Sequence, residues 1–262
     1  LSSANLKDSF MKRVPHSGLL AASGLCAALL IAAWGMLRSP LNAFDDAFIT
    51  YRYADNLRNG LGLVYNPGEW VLGTTAPLFA VLLAALSRFG AAVEACAHWV
   101  SIGGWIVSAW AALGLLWQHQ RRVAGAVAAI LIAMLPAMIP ALGMETAFLM
   151  AMLLLASWAW MSNRSVLAAI LSAVAILTRQ DAALLIGLLI LARSVTRRRV
   201  LWREALLLLG AALPWLIFAF WRYGTVLPNS VLAKVNQNEF MAVGGSNGFL
   251  DQLVLYLGNG AP

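Results

Sequence analysis

The chain has 262 residues, of which 61% are hydrophobic and 11% are charged, with a formal net charge of +7. Soluble domains carry about 25% charged residues, so this composition excludes a single soluble domain, and the recurring long apolar runs exclude a secreted protein with one signal peptide. The basic residues lie in short clusters between apolar runs rather than in a stripe with interleaved aromatic residues, so the positive charge does not indicate nucleic-acid binding.

The predicted elements begin with an apolar helix over residues 18–37, which follows a polar N-terminal segment (1–17) that we place in the cytoplasm. This helix lacks a small-residue cleavage site and further spans follow it, so we interpret it as a retained membrane helix. The further predicted spans are 75–88, 95–117, 123–142, 146–161, 165–178, 181–195 and 205–221. The sequence therefore predicts an all-α fold, a polytopic transmembrane bundle over residues 18–262 that we expect to be truncated at its C-terminus.

Basic clusters predict the orientation of this bundle. Arg121-Arg122 and Arg197–Arg199 mark the cytoplasmic side, because cytoplasmic loops are enriched in Lys and Arg. The first loop (38–74) then faces outside, as do the later segments "GMET", "LTRQD" and "RYGTVLPNSVLAK". Glu204 is the clear acidic exception on the inside. The acidic residues predicted to lie outside are Asp45, Asp46, Asp55, Glu69, Glu145, Asp181 and Glu239.

One stretch conflicts with this orientation. Two complete passes between residues 75 and 117 would put Arg121-Arg122 outside. Either the span 95–117 breaks near Gly103-Gly104, or the segment 75–88 does not fully cross. The sequence leaves both alternatives open.

The first outer loop contains a predicted amphipathic helix, capped by Asn42 or Asp45 and running to Asn59, with Gly60 as the residue that follows it. At 100° per residue, the side chains of Asp45, Arg52 and Asn56 share one face, whereas Asp46 points about 100° away. In one interpretation the two aspartates are no more than a helix cap, which the helix dipole favours. Their position at the mouth of a membrane helix favours a functional role instead.

Other polar positions also have two interpretations. Arg179 and Asp181 can form a simple ion pair in a loop, or Arg179 can hold a phosphate through its bidentate geometry. Glu145 opens a helix, where a carboxylate is stabilised in any case. Lys234 can be a snorkelling residue near a helix end.

Four motifs, in order, resemble those of the GT-C membrane glycosyltransferases, closest to the group of mycobacterial arabinofuranosyltransferases. They are "DDAFITYRYA…YNPGE…GTTAPL" in the first loop, "GMETAF" (143–148), "LTRQDAALL" (177–185) and "LPNSVLAKV" (227–235). The chain departs from the family pattern at Leu72, where an acidic residue is usual, and at Ala76, where an asparagine is usual.

The resemblance implies a GT-C fold with a helical first outer loop, in a bacterial plasma membrane. It implies an inverting enzyme that moves a sugar from a polyprenyl-phosphate donor to a cell-envelope glycan, lipid or protein acceptor on the outer side. One first-loop aspartate is the expected general base. Asp45 is favoured over Asp46 because it shares a helical face with Arg52. The cations expected to bind the donor phosphate are Arg52, Arg179 and Lys234, and the substrate-binding residues expected are Tyr51, Asn56, Glu69, Glu145, Asp181 and Asn229.

Two other functions remain open on the sequence. A secondary transporter would use Glu145, Arg179 and Asp181 as an intramembrane charge pathway. A non-catalytic subunit of an envelope-assembly system would fit the departures at Leu72 and Ala76. Some related enzymes use a divalent ion, but the sequence offers no complete ligand set for one, so no metal or other cofactor is predicted.

Overall fold

A computed structural model describes residues 45–135, 139–198 and 200–229. These ranges contain eight α-helices and no strand, which confirms the all-α prediction. The predicted helix over 18–37, and both Lys234 and Glu239, lie outside the described residues. The helices are α1 (Asp45–Arg58), α2 (Pro77–Ser87), α3 (Val93–Trp117), α4 (Arg122–Ala133), α5 (Thr146–Met161), α6 (Ser165–Thr178), α7 (Ala182–Arg197) and α8 (Trp202–Tyr223).

Length and composition distinguish these helices. With 25 and 22 residues, α3 and α8 are long and apolar enough to cross a membrane. The 11 residues of α2 rise by only about 16 Å at 1.5 Å per residue, whereas the hydrocarbon core of a bilayer is about 30 Å thick. The apolar segment at 75–88 therefore forms a helix about half as long as a crossing requires.

The first-loop helix ends as the sequence predicts. The N–H of Gly60 donates to the carbonyl of Leu57 at 3.2 Å, and the N–H of Leu61 donates to the carbonyl of Asn56 at 2.9 Å. This pair of bonds is a Schellman motif, which requires a left-handed residue at the C′ position. Gly60 supplies it with a φ of 77°.

Of the two alternatives that the sequence leaves open, the break near Gly103-Gly104 is wrong, because α3 runs unbroken through both residues. Gly104 is required for packing: a Cβ placed there would lie 2.8 Å from the Cα of Phe148 in α5. The absence of a side chain lets the two helix axes approach closely at this crossing. The alternative in which 75–88 does not cross is the one that agrees with the length of α2.

The predicted span 123–142 is wrong in its second half, because α4 ends at Ala133. Pro136 has no N–H to donate to the carbonyl of Ile132, and its ring disfavours a helical conformation of the preceding residue. The carbonyl of Ile132 accepts instead from the indole N–H of Trp105 at 2.8 Å and from the backbone N–H of Leu135 at 3.3 Å. The proline therefore ends the helix, and α3 helps to satisfy the acceptor at its end.

The chain reverses at two opposite ends of the bundle. At the first end, the Ser162 hydroxyl donates to the side chain of Gln118 at 2.9 Å, and Arg193 and Arg197 both donate to the side-chain oxygen of Asn163. We call this the basic end, and its turns and the adjoining helix ends carry Arg121, Arg122, Arg164, Arg197 and Arg198.

At the second end, α1 and α2 pack together and the turns 88–92, 139–145, 179–181 and 224–229 meet. Gln180 donates to the carbonyl of Val226 at 3.2 Å, and the Tyr223 hydroxyl donates to that of Leu63 at 2.6 Å. We call this the acidic end. It carries Asp45, Asp46, Asp55, Glu69, Glu94, Glu145 and Asp181, while Glu204 lies at the start of α8, near the basic end.

Candidate functional site

A cavity of about 290 Å³ at the acidic end gathers three of the four sequence motifs. We call it the central cavity. It is lined from α1, from the loop before α2, from the entry to α5 and from the turn between α6 and α7. The lining residues are Asp46, Ile49, Thr50, Gly73, Thr74, Thr75, Met144, Glu145, Arg179, Gln180 and Asp181.

Ion pairs join two of these motifs. Arg179 binds Asp181 in a bidentate manner, at 3.2 Å from Nε and 2.9 Å from Nη2, and its Nη1 lies 3.2 Å from the Glu145 carboxylate. The Glu145 side chain is 7% exposed, whereas that of Asp181 is 64% exposed. The hydrogen bonds that Arg179 donates to Asp181, and the charges of Asp181 and Glu145, raise the pKa of Arg179 despite its partial burial, so the guanidinium remains a cation.

The first-loop motif contributes Asp46 rather than Asp45. Asp46, Ile49 and Thr50 are spaced by three and four residues, so they share one face of α1 and line the central cavity together. Both aspartates are exposed, but Asp45 is not among the residues that line this cavity.

The loop before α2 is fixed by hydrogen bonds from α1. The Tyr53 hydroxyl donates to the carbonyl of Val71 at 2.6 Å and accepts from the N–H of Gly73 at 2.7 Å. The hydroxyls of Thr50 and Thr74 lie 3.4 Å apart, and that of Thr74 accepts from the N–H of Ala76 at 3.1 Å. One wall of the cavity is thereby held rigidly against α1.

Two hydroxyl groups position the entry to α5. The Tyr51 hydroxyl donates to the carbonyl of Gly143 at 2.8 Å, and the Ser101 hydroxyl donates to that of Met144 at 2.9 Å. Burial of Tyr51, together with the charges of Glu94 and Glu145, raises the pKa of its phenol to about 12. The phenol therefore stays protonated and remains a donor at neutral pH, and Tyr51 holds the backbone two residues before Glu145.

Arg52 and Asn56 lie away from the central cavity. Arg52 donates to the carbonyl of Tyr65 at 3.3 Å, and Asn56 donates to those of Val64 and Tyr65, both at 2.8 Å. Arg52 also lines a second cavity of about 490 Å³, together with Tyr51 and the charged residues Asp55, Arg58 and Glu94. The structure thus does not bring Arg52 beside Arg179.

The remaining predicted site residues lie around the loop 65–73. Glu69 accepts a hydrogen bond from Asn66 at 3.0 Å and lines a third cavity of about 310 Å³. The backbone N–H of Asn229 donates to the carbonyl of Leu72 at 2.8 Å, so the fourth motif contacts the first. The side chain of Leu72, where the family has an acidic residue, is buried.

Sequence reasoning missed Thr50, Thr74, Thr75 and Gln180 among the residues that line the central cavity. Thr50 was detectable, because it lies four residues after Asp46 on the same helical face. The others lie in turns, where periodicity gives no signal.

The central cavity carries three carboxylates and one guanidinium, a formal charge of −2. Such a site can accept a proton from a neutral hydroxyl group. Within the described residues, no group of three or more His, Cys, Asp or Glu side chains is arranged to hold a metal ion.

Comparisons of the chain with protein-family models, with curated proteins and with solved structures found no match.

Proposed function

We propose that the chain is an inverting membrane glycosyltransferase that moves a sugar from a polyprenyl-phosphate donor to an acceptor hydroxyl at the outer face of a bacterial plasma membrane. The observation that carries this proposal is the central cavity, where Asp46 shares one space with Glu145, Arg179 and Asp181. A carboxylate for the incoming hydroxyl and a cation for the leaving phosphate are the two charges that the reaction requires.

In this mechanism Asp46 is the general base. It accepts the proton as the acceptor oxygen attacks the anomeric carbon from the face opposite the phosphate. The bond between that carbon and the phosphate oxygen breaks, and its electron pair leaves on the polyprenyl phosphate. Arg179 stabilises the charge that develops, because a guanidinium matches the oxygens of a phosphate. The exposed Asp181 is the partner that a phosphate would displace from Arg179, while the buried Glu145 keeps its contact.

The two ends of the bundle support the membrane orientation of this proposal. The basic end carries the arginine-rich turns, so the positive-inside rule places it in the cytoplasm. The acidic end then faces outside, and a short α2 that stays at the outer surface removes the conflict over Arg121-Arg122. A lipid-linked donor could enter the central cavity laterally from the outer leaflet.

The test compares two adjacent aspartates. Asp46→Asn should lower the rate of sugar transfer at least 100-fold, because general bases contribute about 10² to 10⁴ in rate. Asp45→Asn, the matched control, should stay within about threefold of the wild type, since Asp45 does not line the central cavity. The assay follows transfer from polyprenyl-phosphate-linked arabinofuranose and mannose in nanodiscs. Equal activity of both variants and the wild type would rule out the base assignment.

The same preparation distinguishes the alternative functions. A secondary transporter would move a solute across proteoliposomes without any lipid-linked donor, and a non-catalytic subunit would do neither. Arg179 and Asp181 lie in the turn between α6 and α7, at the end of the bundle. This position fits a surface site better than a charge pathway midway along the helices.

A further inference from the structure

Aromatic and cation–π contacts join the C-terminal end of α8 to the first loop. The guanidinium carbon of Arg222 lies 3.5 Å from the ring centroid of Trp70, and the ring of Tyr223 lies 5.9 Å from the same indole. The Tyr223 hydroxyl donates to the carbonyl of Leu63 at 2.6 Å. The indole also packs against Gly62, where a Cβ would lie 2.8 Å from its Cη2 atom. We call the contact between the first two residues the Trp70–Arg222 stack.

The stack lies where an exposed turn meets a wall of the central cavity. Residues 65–69 are all exposed, whereas residues 73–75 line the cavity. We call residues 71–75 the loop wall, which α1 holds through two hydrogen bonds of the Tyr53 hydroxyl. Trp70 directly precedes the loop wall and does not itself line the cavity. An indole that is fixed at this point keeps motions of the exposed turn from reaching the loop wall.

The segment after α8 contacts both sides of the central cavity. The N–H of Asn229 donates to the carbonyl of Leu72 in the loop wall at 2.8 Å. The side chain of Gln180 donates to the carbonyl of Val226 at 3.2 Å, and Gln180 lines the cavity directly beside Arg179. The end of α8 therefore connects the loop wall with the turn that carries the proposed phosphate-binding cation, and its position affects the separation of the two.

Arg222 also has a simpler interpretation, as a cation in the last turn of α8, where the helix dipole favours positive charge. That interpretation accounts for the charge but not for its place. A cation over the face of an indole is attracted by the ring, and the attraction is stronger where water is excluded. Arg222 and Trp70 are both partly buried, whereas Trp221 is 75% exposed and its ring lies 5.3 Å from the guanidinium. The contact with Trp70 is thus the closer of the two, and it joins residues that are far apart in the chain.

We infer that Trp70 and Arg222 are positioning residues: their stack fixes the loop wall of the central cavity, although neither residue lines that cavity. The kinetic consequence of this role rests on the proposed function, whereas the placement of the loop wall is a property of the fold. Reacting groups must be held about 3 to 3.5 Å apart, and a displacement of about 1 Å that starts far from the chemistry lowers the rate. Loss of the stack should therefore lower kcat rather than raise KM.

The decisive variant is Arg222→Met, which keeps an unbranched side chain and removes its charge. The kcat for sugar transfer should fall about tenfold, while the KM of the donor and that of the acceptor should each change less than about threefold, because no group that contacts substrate is removed. Trp221→Leu is the matched control, since it removes the other ring near the same guanidinium. It should leave kcat unchanged.

Variants of Trp70 test the same contact from the loop. Trp70→Leu should lower kcat as much as Arg222→Met, and Trp70→Phe should stay within about threefold of the wild type, because a phenyl ring still attracts a cation. The double variant Trp70→Leu with Arg222→Met should be no slower than either single variant, since the two residues act as one unit. An equal loss in Trp70→Phe and Trp70→Leu, additive losses in the double variant, or a raised KM with an unchanged kcat would overturn the positioning role.

Hydrogen exchange separates failure of this role from failure of the proposed function. Mass spectrometry of the full chain in nanodiscs follows the amides of residues 71–76, which should exchange at least about threefold faster in Arg222→Met and Trp70→Leu than in the wild type, and no faster in Trp221→Leu. If the wild type transfers sugar but Arg222→Met keeps its kcat or its exchange rates, the positioning role is overturned and the function stands. If the wild type transfers no sugar, the proposed function fails. Faster exchange confined to the two stack variants would then still support the fixing of the loop wall, and equal exchange in all variants would overturn it.

Discussion

At the scale of single residues, the contact between Glu145 and Arg179 differs in kind from the contact between Arg179 and Asp181. Glu145 is buried, so its carboxylate depends on the guanidinium for compensation of its lost hydration. Asp181 is mostly exposed and keeps its hydration without Arg179. An exposed pair of this kind contributes only about 0 to 1 kcal/mol.

This difference predicts that removing the guanidinium destabilises the protein more than removing the exposed carboxylate does. Arg179→Met should lower the free energy of unfolding by about 2 kcal/mol, less than the 3 to 5 kcal/mol of a fully buried pair because Arg179 is itself partly exposed. Asp181→Asn should change it by less than 1 kcal/mol. Thermal unfolding followed by tryptophan fluorescence in detergent measures both. Adding Glu145→Gln to Arg179→Met should restore part of the loss, and no restoration would contradict the pairing.

The choice between Asp45 and Asp46 shows where sequence reasoning stops. Helical periodicity correctly groups Asp45, Arg52 and Asn56 by angle, but it does not indicate which face of α1 meets the rest of the chain. Arg52 and Asn56 bind the carbonyl of Tyr65, so that side of the helix holds the loop. The side with Asp46 meets residues that lie about 100 and 130 positions later in the chain, and only the tertiary fold supplies them.

At the scale of the elements, polar turns made some helix bounds predictable. The predicted bounds of α5 and α6 agree with the structure, because Ser162, Asn163 and Arg164 interrupt two apolar runs. Asn163 takes a φ of 59°, which asparagine tolerates better than most residues. The end of α4 was harder to predict, because its apolar pattern continues past the proline that stops the helix.

The crossing of α3 and α5 gives a prediction at this scale. Gly104→Ala should destabilise the protein by about 1 to 3 kcal/mol, because its Cβ would meet the α5 backbone and overpack the crossing. It should also reduce sugar transfer, since the displaced backbone at Ala147 and Phe148 directly follows Glu145 and Thr146.

Gly103→Ala is the matched control for this crossing. A Cβ at Gly103 would have no neighbour within 4 Å, and alanine favours a helix by about 1 kcal/mol over glycine. Thermal unfolding should therefore show an unchanged or raised midpoint for Gly103→Ala and a lowered one for Gly104→Ala. Equal midpoints for the two variants would show that the helices do not cross at Gly104.

At the scale of the whole molecule, charge is separated between the two ends of the bundle. The arginines of three turns lie at the basic end, and the carboxylates of α1, Glu145 and Asp181 lie at the acidic end. Glu94, which lies in the stretch 75–117 whose topology the sequence leaves open, joins the acidic end because it borders the second cavity with α1. This separation of charge is expected if the chain does not cross the bundle at α2, so that the residues before α2 and after α2 both lie at the acidic end.

A labelling experiment tests this path of the chain. Cys26 and Cys96 are first replaced by alanine, and single cysteines are then placed at Asn59, Ala91 and His119, which are exposed. A membrane-impermeant maleimide applied to intact cells should label Asn59→Cys and Ala91→Cys, which flank α2 at the acidic end. His119→Cys, at the basic end, should react only after the cells are opened. If α2 crossed the bilayer, its flanking positions would lie on opposite sides, and Asn59→Cys and Ala91→Cys would differ in intact cells. Equal labelling of those two, with protection of His119→Cys, is the result that a surface-bound α2 requires.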